Sequence, residues 1–209
     1  MHYEGLSPDS FTFVCILKAC GHIGALEKGK EVHVEIAKED LLERDIVLGT
    51  SLVDMYAECG ALPEAREMFY LLPIRDVVSW TTLMVAFTEY EQDEEAFDCF
   101  DRMQNQSMSP NIETFVCCLR ACGALGALSK GREIHTDIII EGLESSFSVT
   151  NTLIDMYLKC GSLVEAEQLS DEHVDRDLVS WTSLIRGYVE NGFSEKAMEC
   201  LEEAQLSGI

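Results

Sequence analysis

Long apolar runs are missing from this chain: none approaches the roughly 20 residues that a membrane-spanning helix needs. The N-terminal Met1-His2-Tyr3-Glu4-Gly5 has the form of neither a signal peptide nor an Arg-rich transit peptide. Basic residues are scarce, 15 Lys and Arg against 38 Asp and Glu, for a net charge of −23. Phosphate neutralisation supplies most of the affinity of ordinary nucleic-acid binders, so the bulk charge argues against that class. A disulfide framework is also absent: nine cysteines are spread along the chain without the spacing of paired bridges. Such small, apolar, unpaired thiols fit packed faces in a reducing compartment. No Gly-rich phosphate loop and no nucleophile–base constellation occurs, so the residues point to no catalysis. Apolar residues are not lacking. At 47% of the chain they suffice for a continuous core and exclude disorder.

What fills the sequence is repetition. Arg75-Asp76-Val77-Val78-Ser79-Trp80-Thr81-Thr82-Leu83 returns 101 residues later as Arg176-Asp177-Leu178-Val179-Ser180-Trp181-Thr182-Ser183-Leu184. Leu52-Val53-Asp54-Met55-Tyr56 recurs as Leu153-Ile154-Asp155-Met156-Tyr157 at the same spacing. Lys18-Ala19-Cys20-Gly21 recurs as Arg120-Ala121-Cys122-Gly123 at 102. Three words in one register mark a tandem array, in which each unit shares its core with its neighbours.

The super-period divides into three helical hairpins of unequal length. Leu48, Leu52, Met55 and Tyr56 have the three-and-four spacing of a helix over 46–56. Gly60 suits a left-handed cap, and Pro63 suits the first turn of the helix that follows. Leu62, Ala65, Met68 and Phe69 form that second helix's apolar stripe, and Ser162 with Glu165 offers a capping box in the other copy. In the longer hairpin, Phe13, Ile16 and Leu17 mark the first helix, and Gly21 and Gly24 bracket the turn. Leu26, Gly29, His33 and Ile36 line its second helix, where Gly29 leaves room for two helix backbones to approach. The expected units are a tail at 1–9, then 10–45, 46–76, 77–111, 112–146, 147–177 and an incomplete 178–209. One hairpin cannot bury both faces of its helices, so the units must stack into an all-α solenoid with first helices along one surface.

These words and alternating lengths resemble the pentatricopeptide repeat family in its plant-type long–short–standard triplet arrangement. Leu17-Lys18-Ala19-Cys20 with Gly29-Lys30-Glu31-Val32-His33 carry the long motif. Leu52-Val53-Asp54-Met55-Tyr56 with Cys59-Gly60 carry the short one, and Val77-Val78-Ser79-Trp80, Glu95-Ala96-Phe97 and Ser109-Pro110-Asn111 the standard one. Tetratricopeptide repeats share the hairpin, but their Trp-Leu-Gly-Tyr word is absent. The resemblance implies a right-handed superhelix with first helices on its concave side, and a chain that is a piece of a longer array. It also implies single-stranded RNA as partner, no cofactor or metal, neither membrane nor DNA binding, and residence in mitochondria or chloroplasts. The biological role so implied is organellar RNA processing or C-to-U editing, with this chain as the recognition part.

In that family the fifth and last residues of a motif read the base edge, and the second packs on the base plane. Such an edge is accessible only in single strands. Carried onto this chain, Thr50 with Asp76 is the guanine pair, Thr81 with Asn111 the adenine pair, and Asn151 with Asp177 the uracil pair. Thr182 opens a further pair. Val14 with Asp45 and Val116 with Ser146 match no clear code, so the expected preference is n-G-A-n-U, read with N-terminal repeats toward the 5′ end. Val47, Val78 and Val179 fit the packing position, whereas Glu113 and Ser148 depart from it. Thr, Asn and Asp beside helix starts are, in general, simply caps.

His33-Val34-Glu35 has the H-x-E form of zinc deaminases, but no P-C-x-x-C follows, and its counterpart is His135-Thr136-Asp137. Cys117, Cys118 and Cys122 share one amphipathic helix without a partner set for zinc and read as core. The acids crowd second helices, as in Glu64, Glu67, Glu94, Glu95, Asp98, Glu195, Glu199, Glu202 and Glu203, and read as solvated faces. Lys18, Arg120, Lys159 and Arg186 place some bases on first helices, where they would serve phosphates. The competing reading is an acidic protein-binding solenoid that holds basic partners such as editing-cofactor proteins or another array.

Overall fold

The computed structural model describes residues 8–39, 41–43, 45–172 and 178–206. Among them the chain forms twelve α-helices and no strand. It divides into two compact units, Met1–Ser109 and Pro110–Ile209. The first holds α1 (Ser10–His22), α2 (Leu26–Lys38), α3 (Ile46–Glu58), α4 (Leu62–Leu71), α5 (Val77–Glu89) and α6 (Asp93–Asn105), with a 3-10 turn at Leu41–Glu43. The second holds α7 (Ile112–Leu125), α8 (Leu128–Ile140), α9 (Phe147–Lys159), α10 (Leu163–Glu172), α11 (Leu178–Glu190) and α12 (Ser194–Leu206). In the first unit α3 packs against α1 and α5, and each odd-numbered helix packs on the even one that follows it. In the second unit α9 packs against α7 and α11 in the same manner. Each unit is therefore a two-layer stack, first helices in one layer and second helices in the other.

The first helices are started by short polar side chains. Asp9 accepts the Thr12 N–H at 2.8 Å, Asp45 those of Val47 and Leu48, Asp76 that of Ser79 and Asn111 that of Thr114. Each satisfies an N–H that the helix cannot, worth about 1 kcal/mol. Second helices begin differently. Ala25, Ala61, Gln92 and Ala127 precede them without any side-chain cap, and Pro63 occupies the first turn of α4. The Ser162 hydroxyl donates to Glu165 at 2.7 Å at the start of α10.

The turns use left-handed residues where the chain reverses. Gly60 has φ 74° and Gly161 φ 73°, a conformation that costs glycine nothing sterically. Gly24 takes it too, but Gly21 lies within α1, buried beneath the Glu58 side chain. At the α5–α6 turn no glycine is present and Glu91 takes φ 58° itself. The core is apolar and continuous within each unit. Trp80, from the repeated word, is 1% exposed and meets Phe69 edge-on at 4.6 Å. Gly29 does admit a close neighbour, but the neighbour is the Met55 side chain, whose sulfur lies 2.3 Å from where a Cβ would stand. The second unit repeats this with Gly131 and Met156. A long flexible thioether fills the gap, so the two backbones do not have to close it. His33 and Tyr56 meet at 2.9 Å (Nδ1 to phenol oxygen), and His135 and Tyr157 at the same distance, tying α2 to α3 and α8 to α9.

Candidate nucleic-acid interface

The first-helix layer of the first unit contains a groove of about 280 Å³. The N-terminal half of α3 supplies Val47, Thr50 and Ser51, α5 and its cap supply Asp76, Val78 and Thr82, and Lys18 and Asp54 close one end. Helical geometry puts them there. Residues 47, 50, 51 and 54 lie on one stripe of α3, and the Asp76 cap holds its own side chain beside the start of α5. Val47 and Val78 are 60% and 58% exposed and together give the groove an apolar wall on which a flat ring could lie.

Several polar groups in the groove are uncommitted among the described residues, Thr50 and one oxygen of Asp76 among them. One Asp76 carboxylate oxygen accepts the Ser79 N–H at 2.9 Å, which leaves the other open. Ser51 and Thr81 return their hydroxyls to the carbonyl four residues back, at 2.8 Å each, whereas the half-buried Thr50 does not. A hydroxyl and a carboxylate oxygen therefore stand together beside two exposed valines. That set can donate to and accept from the edge of a planar heterocycle.

The other sequence-derived residues are placed less alike. Thr81 is buried at 3% exposure, with its hydroxyl on Val77 O. Its partner Asn111 caps α7 in the other unit, with its side-chain oxygen taken up by Thr114. Asn151 is half-buried and its carbonyl oxygen accepts the Ser180 hydroxyl at 2.7 Å. Asp177 lies outside the described residues, as does the side chain of Val179. Thr182 is exposed and donates to Leu178 O at 2.7 Å. The bases differ in kind. Lys18 and Arg120 are exposed and form no ion pair among the described residues. Lys159 lies 2.8 Å from Asp155, and Arg186 is bound to the same carboxylate and lies 4.0 Å from Glu190, so both are already paired within the chain.

Phe11 was missed by the sequence reading. It is 76% exposed and stands two residues after the Asp9 cap, as Val47 and Val78 stand two after Asp45 and Asp76. The cap register alone identifies it. Asp54 was missed as well: half-buried in the groove, it forms no hydrogen bond or ion pair among the described residues. Burial pushes its carboxyl above the ordinary range, while Lys18 and His22 pull it back. The three cysteines of α7 are interior: Cys117, Cys118 and Cys122 are buried, and burial pushes the Cys122 thiol up to about 12, whereas Cys15 is exposed. Among the described residues no three His, Cys, Asp or Glu side chains converge as a metal site.

Stacked helical hairpins with a groove between successive first helices define a helical-repeat protein of the α-solenoid class. Solved structures share this fold. The pentatricopeptide repeat protein PPR10 in complex with an 18-nt psaJ RNA element superposes with a TM-score of 0.81 at 20% identity, over 100% of this chain and 32% of that one. PPR10 from maize gives 0.72 at 16%, over 95% of this chain and 30% of that one. The PPR repeat family matches residues 75–124, and the PPR repeat matches 148–169 and 179–209. Pentatricopeptide repeat-containing protein At1g06140, mitochondrial, of Arabidopsis thaliana is 34% identical over 209 residues, 100% of this chain and 38% of that protein. At1g15510, chloroplastic, from the same plant is 38% identical over 93% of this chain and 22% of that protein. Stretches of the chain thus match PPR repeat models, these relatives are pentatricopeptide repeat-containing proteins, and the chain spans between about a fifth and two-fifths of their length.

Proposed function

We propose that this chain binds single-stranded RNA and reads it base by base along the first-helix layer. The observation that carries this reading is the groove in which an open Thr50 hydroxyl and an open Asp76 oxygen lie beside exposed Val47 and Val78. A guanine offers O6 as acceptor and N2–H as donor, complementary to a hydroxyl and a carboxylate. Its plane suits the valine pair, and only an unpaired base exposes that edge. The resemblance to the long–short–standard triplet arrangement puts the same pair at reading positions, and PPR10 was crystallised with RNA. The chain acts as a recognition segment of a longer array, with no catalytic step of its own. Mitochondrial and chloroplastic relatives support an organellar role in RNA processing or C-to-U editing.

A second reading, a scaffold for basic proteins, draws on the net charge of −23 and on exposed second-helix acids such as Glu94, Glu95, Glu199 and Glu202. Binding of labelled oligoribonucleotides separates the two. The RNA reading expects retention of a single strand containing n-G-A-n-U over a scrambled strand and a duplex, weakening as salt rises. Equal retention of all three, with tight salt-sensitive binding of a basic protein such as a histone, contradicts it.

A further inference from the structure

The same groove contains a carboxyl that the two copies of the repeat treat differently. On α9, Asp155 is held between Lys159, one turn along its own helix, and Arg186 on α11. Asp54 is the matching residue on α3, but Glu58 replaces Lys159 and Val85 replaces Arg186. The carboxyl is left half-buried, unpartnered among the described residues, and facing the ligand groove.

The charges around it are few and can be named. From α1 come Lys18 and His22, the latter 3.6 Å from Glu58. On α3 itself Glu58 lies one turn away, and from α5 come Glu89, which acts on Glu58, and the Asp76 cap at the other end of the groove. The α2 and α4 side contributes Glu64 and Glu67, which act on Tyr56. Three carboxylates, Glu58, Glu89 and Asp76, therefore share its layer, against one lysine and one histidine. An RNA strand entering this groove brings further negative charge and removes water, and both penalise an ionised carboxylate.

We infer that Asp54 is a third ligand-facing residue of this groove and makes RNA binding at the first short repeat proton-coupled, taking up one proton as the strand enters. The inference rests on the RNA reading above and adds to it a residue and a regulation. When neutral, Asp54 becomes a hydrogen-bond donor as well as an acceptor and ceases to repel phosphate. Burial already pushes its carboxyl above the ordinary range in the free protein, with Lys18 and His22 pulling it back. The linkage is one proton, so affinity can rise by at most about tenfold for each pH unit of acidification. The repeat built around Asp155 offers no such open carboxyl, because Lys159 and Arg186 already hold it.

The test uses the 209-residue chain and a G-containing single strand, with binding measured at about pH 7.5 and about pH 5.5. His22→Gln serves as the background, which removes the imidazole's own titration. In it, affinity should rise on acidification. Adding Asp54→Asn should raise affinity at the higher pH by about five- to tenfold and flatten the dependence. Adding Val85→Arg, which installs the cation of the second copy, should also flatten it by pinning Asp54 in the charged form. Helical content by circular dichroism checks that each variant is folded. RNA binding with the same pH slope in all three variants overturns the inference and leaves the RNA reading standing. Absence of binding in all three at both pH values overturns the RNA reading, and this inference with it.

Discussion

At the residue scale, the same side chain does different work according to whether its polar atoms are already used. Thr50, Thr81 and Thr182 occupy equivalent positions, yet Thr81 and Thr182 return their hydroxyls to the preceding turn while Thr50 keeps its own for the groove. We expect Thr50→Val to weaken binding of a G-containing strand by about 5- to 150-fold, the range of one lost base contact. Thr182→Val should change binding far less, and direct titration of both variants with one oligonucleotide compares them. Sequence could name these threonines through the family register but not distinguish them, because a hydroxyl's hydrogen bond depends on a rotamer that no spacing specifies. Glu91 is a different case. The missing glycine of the α5–α6 turn is visible in the sequence, and the structure shows the consequence, a non-glycine residue at φ 58°. Left-handed backbone costs such a residue about 1–2 kcal/mol. Glu91→Gly should therefore stabilise the chain by about 1 kcal/mol and raise the melting temperature by about 2–4 °C. An unchanged or lower melting temperature by calorimetry contradicts this.

At the element scale, most of the helix starts and stops were written locally. Gly60, Pro63 and the stripe Leu62, Ala65, Met68 and Phe69 predicted α4, and those four residues are buried there. Gly29 was legible as a close contact, but its partner was not, because a methionine's reach across helices leaves no local trace. The His–Tyr bonds between α2 and α3 and between α8 and α9 were equally hidden: His33 was legible as a packed-face residue, but its partner lies 23 positions away. They carry a pH signature. Burial holds the His33 imidazole below its usual range. Its folded-state pKa is thus lower than the unfolded one, so the unfolded chain binds the proton more readily. The stabilisation is present above about pH 6.5 and is lost as pH falls below that value. His33→Gln cannot titrate. Urea unfolding of both forms should therefore show the wild type losing stability relative to the variant between about pH 7 and about pH 5. A constant difference across that window contradicts the assignment.

At the scale of the whole molecule, placement eases the conflict between an acidic chain and the anionic ligand proposed for it without removing it, since Glu58, Glu89, Glu113 and Glu190 are also exposed on first helices. Exposed acids such as Glu94, Glu95, Glu199 and Glu202 sit on second helices, while Lys18 and Arg120 stand on first helices without ion pairs among the described residues. Beyond about 8 Å, physiological salt screens most of the remaining repulsion. Net charge was readable from composition; which bases stay free was not, since Lys159 and Arg186 become committed to Asp155 only once α9 and α11 pack. Lys18→Glu and Arg120→Glu should weaken binding to all single strands alike and reduce its salt dependence, whereas Lys159→Glu should do so less. The claim at the centre of this account is that Thr50 and Asp76 read one base together. Its most direct test is competition between single strands that differ only at that base, in wild type and in Thr50→Asn. The family's uracil pair is Asn with Asp, and Asp76 is retained in the variant. The account predicts that preference moves from G to U by about 5- to 150-fold at that position and at no other. The same preference before and after the substitution would show that Thr50 stands beside the cap of α5 without reading anything.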